Sequence, residues 1–187
     1  MENILAEKKC LRKKILEINK SYTEQELSIM SQNIMDILEN STIFKNAESI
    51  FIYHSMKGEV ETTKFIKKWF SLKDFYLPVI VDNNMFFRKY LSNELLQQSE
   101  YGIQEPQGEN FTNYDDIDLI IIPGVAFDKH MNRMGRGKGY YDRFLHNLND
   151  KIKIGICFNF QLLEHIPIND NDIKMNYIIT ESGIFST

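Results

Sequence analysis

Arg133, Arg136 and Lys138 are interleaved with Gly135, Gly137 and Gly139. Glycines at alternate positions let a backbone enter left-handed φ and approach a ligand with no Cβ in the way. From Lys129 to Arg143 five cations meet one anion, Asp142, so this segment carries +4. The whole chain is −4, and the remainder therefore carries −8. A basic, glycine-rich segment in an acidic protein reads as a phosphate cradle, with a solvated surface loop as the bland alternative.

The flanks support the cradle. Ile117 to Ile122 is an apolar, β-branched run with the character of a buried strand. Beyond Gly139, Tyr140, Phe144 and Leu148 recur at helical spacing, which predicts a helix starting near Lys138. A strand, a glycine loop and a helix N-terminus together direct unpaired N–H groups and a positive dipole end at an anion. The segment is neither a Walker A loop nor G-x-G-x-x-G.

The elements that must hold this loop can be read along the chain. Glu2 to Asn19 is predicted as a helix with Leu5, Leu11, Ile15 and Ile18 as its apolar stripe, and Lys8 and Arg12 share one of its faces. Thr23 and Glu26 form a capping box for a second helix lined by Leu27, Met30, Ile34 and Leu38. Both helices are expected to pack on the sheet. Ser49 to His54 is a first strand, and Met56, Glu59 and Glu61 in the loop after it are candidate ligand contacts, since open α/β sheets bind ligands beyond strand carboxyl ends. A helix follows from Thr62 to Phe70, with Trp69 on its core face.

Phe75 to Ile80 and Met85 to Leu91 read as a hairpin about Asp82-Asn83-Asn84, with Pro78 suggesting an edge or a strand end. Tyr101 to Pro106 reads as irregular, Lys151 to Phe158 as a strand, Gln161 to His165 as a helical turn and Asn169 to Asp172 as an acidic turn. Tyr177 to Thr180 is expected to close the sheet. The pattern predicts one three-layer α/β/α domain over residues 1–187 with a mixed, mainly parallel sheet.

Composition sets the limits. With 43% hydrophobic and 26% charged residues the chain is an ordinary globular protein. Its acidic balance argues against a dedicated nucleic-acid binder, and no apolar run suits a bilayer. No secretory signal is evident, so cytoplasm is the expected location and a monomer the expected state. Cys10 and Cys157 read as buried, reduced thiols. His54, His130, His146 and His165 form no metal-ligand spacing, and no serine sits in G-x-S-x-G.

Pro123-Gly124-Val125-Ala126-Phe127-Asp128, followed by Arg133-Met134-Gly135, Gly137 and Gly139-Tyr140-Tyr141-Asp142-Arg143, resembles the signature of the 5-formyltetrahydrofolate cyclo-ligases, also called methenyltetrahydrofolate synthetases. Lys8 to Arg12, Met56 to Thr62, Gly102 to Pro106 and Asn171 to Lys174 resemble further blocks of that family, in family order. The chain departs from the pattern at Met131, where glycine is usual, and at Met134, where leucine is usual. Asn171 and Asn176 stand where histidine and aspartate are common.

The resemblance implies a fold related to ribose-5-phosphate isomerases and CoA-transferases. It implies ATP- and Mg²⁺-dependent closure of 5-formyltetrahydrofolate to 5,10-methenyltetrahydrofolate, with ADP and phosphate released. It carries ATP binding to Lys8, Lys9, Arg12, Arg133, Gly135, Arg136, Gly137, Lys138, Gly139, Tyr140 and Tyr141. Folate contacts fall to Arg12, Met56, Glu61 and residues 136–140, catalysis to Arg136, Lys138 and Tyr140, and Mg²⁺ to Asp142 and Asp172. Two other readings compete: a sugar-phosphate or CoA-ester enzyme of similar fold, or a non-catalytic nucleotide- or RNA-binding module.

Overall fold

The computed structural model describes residues 2–99 and 102–187. The chain opens with α1 (Glu2–Lys20), α2 (Glu24–Asn40) and α3 (Thr42–Asn46), then β1 (Ser49–Phe51), α4 (Thr63–Trp69), β2 (Asp74–Val81) and β3 (Asn84–Lys89). It continues through β4 (Leu96–Gln98), β5 (Gln104–Pro106), β6 (Leu119–Pro123), β7 (Ala126–Asp128), β8 (Arg133–Met134) and α5 (Tyr140–Leu145). It ends with β9 (Ile152–Ile156), β10 (Leu162–Leu163), β11 (Tyr177–Thr180) and β12 (Gly183–Phe185).

Among the described residues, seven strands join in the order β12-β11-β9-β6-β1-β2-β3. The neighbours β11-β9, β9-β6, β6-β1 and β1-β2 are parallel, and the two outermost pairings are antiparallel. The sheet is thus mixed and mainly parallel, as the sequence predicted.

Alternation explains the unbroken apolar run of β6. Leu119 and Ile121 point into a core shared with Ile34, Leu38, Phe44 and Phe65 of α2, α3 and α4. Ile120 and Ile122 point the other way, to Phe51, Phe127 and Leu145. A strand covered on both faces has no polar side to display. The capping box that begins α2 is formed: the Thr23 N–H donates to Glu26 Oε2 at 2.7 Å and the Glu26 N–H to Thr23 Oγ1 at 3.2 Å.

Several local expectations are corrected. Helix α1 does not lie on the main sheet; Leu11, Ile15 and Ile18 pack on a separate core with Ala126, Met134 and Ile166, and Leu5 is exposed. Pro78 is not at a strand end, but the edge it suggested is there: beyond Tyr76 one side of β2 is open. It lies in β2 past Tyr76, the last β2 residue paired with β1, so its missing N–H falls where no neighbour needs it. Residues 104–106, expected to be irregular, pair as β5 with β4.

At 161–165 there is no helical turn: a 3₁₀ turn at Asn159–Gln161 leads into β10, which pairs with β7. β11 does not close the sheet, because β12 folds back along it. Helix α5 begins at Tyr140 rather than Lys138 and ends before the buried Leu148. Cys157 is buried as expected, whereas Cys10 is exposed. Tyr101, the first residue of the stretch read as irregular, lies outside the described residues. No helix among the described residues is long and apolar enough to cross a membrane.

Candidate active site

From β1 the chain crosses through α4 to β2 on one side, and from β6 it crosses through α5 to β9 on the other. Loops leaving β1 and β6 therefore diverge at the sheet centre, and a crevice opens beyond the strand carboxyl ends. A cleft of about 950 Å³ occupies this position. Its walls come from the loop after β1 (Tyr53, His54, Met56, Glu59), the glycine loop and the start of α5. Lys8 and Arg12 of α1 face in from another side, with Asp172 beside them.

Apart from Lys9 and Glu61, every site residue expected from the sequence lines this one cleft. Lys9 is exposed on α1. The Glu61 carboxylate is held by Lys64 at 3.1 Å and by the Thr63 hydroxyl at 3.2 Å. Glu59, two residues earlier, is the carboxylate in the wall.

The glycine loop is held by its own cations. Arg133 is 3% exposed; its Nη2 meets Asp142 at 2.8 Å, its Nη1 donates to the Pro123 carbonyl, and its guanidinium stacks on the Tyr141 ring at 5.4 Å. It is a floor beneath the loop more than a mobile cation. Arg12 Nε donates to the Gly135 carbonyl at 2.8 Å and so ties α1 to the loop. Lys8 pairs with Asp172, and Arg143 Nη1 donates to the Lys138 carbonyl at 2.9 Å. Gly139 caps α5 at φ 68, a left-handed conformation that a side chain would strain.

The wall carries six cations (Lys8, Arg12, Arg133, Arg136, Lys138, Arg143) against three carboxylates (Glu59, Asp142, Asp172), leaving three positive charges in an acidic protein. Burial pushes the Tyr53 and Tyr141 phenols well up, with the Glu59 charge adding to the effect, so both stay protonated. Burial also holds His54 below the ordinary imidazole value, and it is neutral near pH 7. Among the described residues, two buried side-chain atoms lack a hydrogen-bond partner, Arg133 Nε and the Tyr141 hydroxyl, and both residues line the cleft. Unpaired buried donors of this kind await an acceptor.

Asp142 and Asp172 share the cleft, each already paired with a cation, and among the described residues no group of three or more His, Cys, Asp or Glu could hold a metal. This donor set is too small for a dedicated cage. It fits Mg²⁺, which takes one or two carboxylates and completes its shell from water and substrate phosphates.

The apolar stretch of the wall, Pro78, Ile80, Met85 and Ile103, was not anticipated. Those residues read as ordinary hairpin and loop positions, and nothing in their spacing marks them. Arg143 lies inside the cation cluster counted from the sequence but carried no assigned role.

A family model described as the 5-formyltetrahydrofolate cyclo-ligase family matches residues 4–181. A 5-formyltetrahydrofolate cyclo-ligase of Haemophilus influenzae is 30% identical over 182 residues, covering 93% of this chain and 94% of the relative. Among solved structures, the 5,10-methenyltetrahydrofolate synthetase of Aquifex aeolicus superposes with a TM-score of 0.86 at 33% identity, over 96% of this chain and 92% of that one. That of Mycoplasma pneumoniae superposes at 0.72 and 28% identity, over 93% and 98%.

Proposed function

The chain belongs to the 5-formyltetrahydrofolate cyclo-ligase family, and from that premise we propose that it closes 5-formyltetrahydrofolate to 5,10-methenyltetrahydrofolate using ATP and Mg²⁺. The observation that carries the nucleotide part is the charge of the cleft: three net positive charges gathered around a glycine loop, in a protein that is acidic elsewhere. A triphosphate is the ligand such a wall complements.

A formamide oxygen is a poor leaving group, so cyclisation needs it activated. The formyl oxygen attacks the γ-phosphorus of ATP; the new O–P bond forms as the bond to ADP breaks, giving an iminium phosphate. N10 then adds to the activated carbon and loses its proton, the C–O bond breaks, and phosphate departs. Phosphoryl transfer of this kind depends on positioning and on neutralising charge, with little covalent work for the protein.

The residues divide that work by location. Arg136, Lys138 and the glycine-loop N–H groups hold the transferring phosphoryl, and Arg12 and Lys8 grip the nucleotide from the α1 side. Tyr140 stands at the start of α5 in the wall of the cleft, with the Arg143 guanidinium 5.2 Å from its ring. Mg²⁺ arriving with ATP would neutralise phosphate charge between Asp142 and Asp172. Met56 and the apolar wall of Pro78, Ile80 and Met85 receive the folate rings. Glu61 lies outside the cleft wall, its carboxylate on Lys64 and the Thr63 hydroxyl, and would have to turn inward to meet the folate.

The test is turnover. Mixed with ATP, Mg²⁺ and 5-formyltetrahydrofolate, the protein should generate methenyl absorbance with one ADP formed per product. No product at high enzyme concentration, or product that forms equally well without nucleotide, would sink the proposal.

A further inference from the structure

Arg136 is exposed, with 56% of its side chain accessible, yet its guanidinium is fixed. Nε and Nη2 both donate to Glu59 Oε1, at 3.1 and 2.8 Å. The two residues are 77 positions apart, and the contact spans the crevice from the loop after β1 to the glycine loop. Glu59 itself is 13% exposed, and its other oxygen, Oε2, accepts the Met56 N–H at 2.9 Å.

The loop that carries Glu59 is built to stay where it is. Ser55 and Thr62 exchange hydrogen bonds, each backbone N–H donating to the other's hydroxyl, and the Thr62 hydroxyl donates to the Tyr53 carbonyl at 2.7 Å. Asn19 Nδ2 donates to the Gly58 carbonyl at 2.9 Å, which ties the same loop to α1. The glycine loop is anchored by Arg133 beneath it and by Arg12 at the Gly135 carbonyl, but Arg136 itself is flanked by glycine on both sides. A long side chain on such a loop loses its aim unless something outside the loop holds it.

We infer that Glu59 is the positioning residue for Arg136, the rigid β1 loop aiming a catalytic cation that the glycine loop cannot aim alone. The inference rests on the proposed phosphoryl transfer. With Nε and Nη2 engaged by Glu59, the Nη1 donors are left for the phosphoryl oxygens, already oriented before substrate arrives. Glu59 acts through Arg136 and has no need to touch either substrate. One oxygen is committed to Met56 and the other to Arg136, so the carboxylate adds orientation at the site without replacing the cation.

The experiment compares Glu59→Ala, Glu59→Gln, Arg136→Ala and the Glu59→Ala/Arg136→Ala double variant, measuring kcat and both KM values. Arg136→Ala should lower kcat at least about a hundredfold, the loss seen when one preorganised donor is removed. Glu59→Ala should lower kcat by about ten- to a hundredfold through misplacement alone, with both KM values within about twofold. Glu59→Gln, which keeps one carbonyl acceptor, should recover part of that loss. The double variant should be no slower than Arg136→Ala, because two residues acting as one unit are not additive.

A structural role alone would not move the second readout, the Arg136 Nε–H signal in ¹⁵N NMR. It should be resolved in the wild type and lost in Glu59→Ala while the melting temperature holds. Additive losses in the double variant, a KM-only effect, or an unchanged kcat in Glu59→Ala would each overturn the inference. Wild-type protein without ATP-dependent turnover would instead remove the functional reading, and this inference with it.

Discussion

Met131 stands where the family resemblance leads one to expect glycine, and its backbone takes the conformation glycine would prefer, φ 66. Replacing it with glycine sets two opposed effects against each other. Releasing a side chain from the left-handed region gains about 1–2 kcal/mol. The methionine, however, is 2% exposed and packs in the core beneath α5 with Phe127 and Met175. Removing such a side chain costs about 2–5 kcal/mol, and glycine adds about 0.5–1 kcal/mol of unfolded-chain entropy. Burial wins, and Met131→Gly should be less stable than the wild type by roughly 2–3 kcal/mol.

Met131→Ala separates the terms. It loses the same packing and keeps the strained backbone, so it should fall below the glycine variant by about 1 kcal/mol. Urea denaturation of the three proteins at a common m-value measures both differences. Backbone contacts at the turn survive in either variant: the residue's N–H donates to the Asp128 carbonyl and its carbonyl accepts from Met175 at 2.8 Å. An alanine variant as stable as the glycine variant would show that the strain stored there is no larger than the unfolded-chain entropy glycine adds, about 0.5–1 kcal/mol. A glycine variant more stable than the wild type would show that the buried side chain had been overvalued.

Other outcomes follow from the same geometry. A Cβ at Gly155 would sit 2.3 Å from the Phe127 ring, so Gly155→Ala should destabilise by about 1–3 kcal/mol or abolish folding, measured by calorimetry. Lys8→Met leaves the largely buried Asp172 carboxylate without its cation and should cost about 3 kcal/mol, whereas exposed Lys9→Met should change stability by under about 0.5 kcal/mol. The same pair should differ in nucleotide KM, Lys8→Met raising it and Lys9→Met leaving it alone. Burial depresses His54, so the unfolded chain binds its proton first. The stability that His54 contributes is therefore present above the ordinary value near 6.5 and falls as pH drops through the lower folded value. An NMR titration placing His54 at or above that ordinary value would contradict this sign.

The sequence made the parallel core and the loop readable for definite reasons. The β6 run and the cation–glycine alternation are dense local patterns, and each has few structural explanations. What could not be read depended on which distant segments meet. The stripe of α1 is amphipathic whether it covers the main sheet or the small β7-β8-β10 sheet, and periodicity does not choose between them. Glu59 and Glu61 project alike from one short loop, and only the fold sends the first to Arg136 and the second to Lys64. Short strands such as β5 and β10 form because a partner is presented to them, not because two or three residues demand it.

The most direct measurement is the backbone amide spectrum of the whole protein titrated with ATP and Mg²⁺ before any folate is added. Shifts should concentrate at residues 133–143 and at Lys8 and Arg12, the two sides of the positive cleft. Shifts confined to other surfaces, or none at saturating nucleotide, would contradict the assignment of this cleft to a triphosphate.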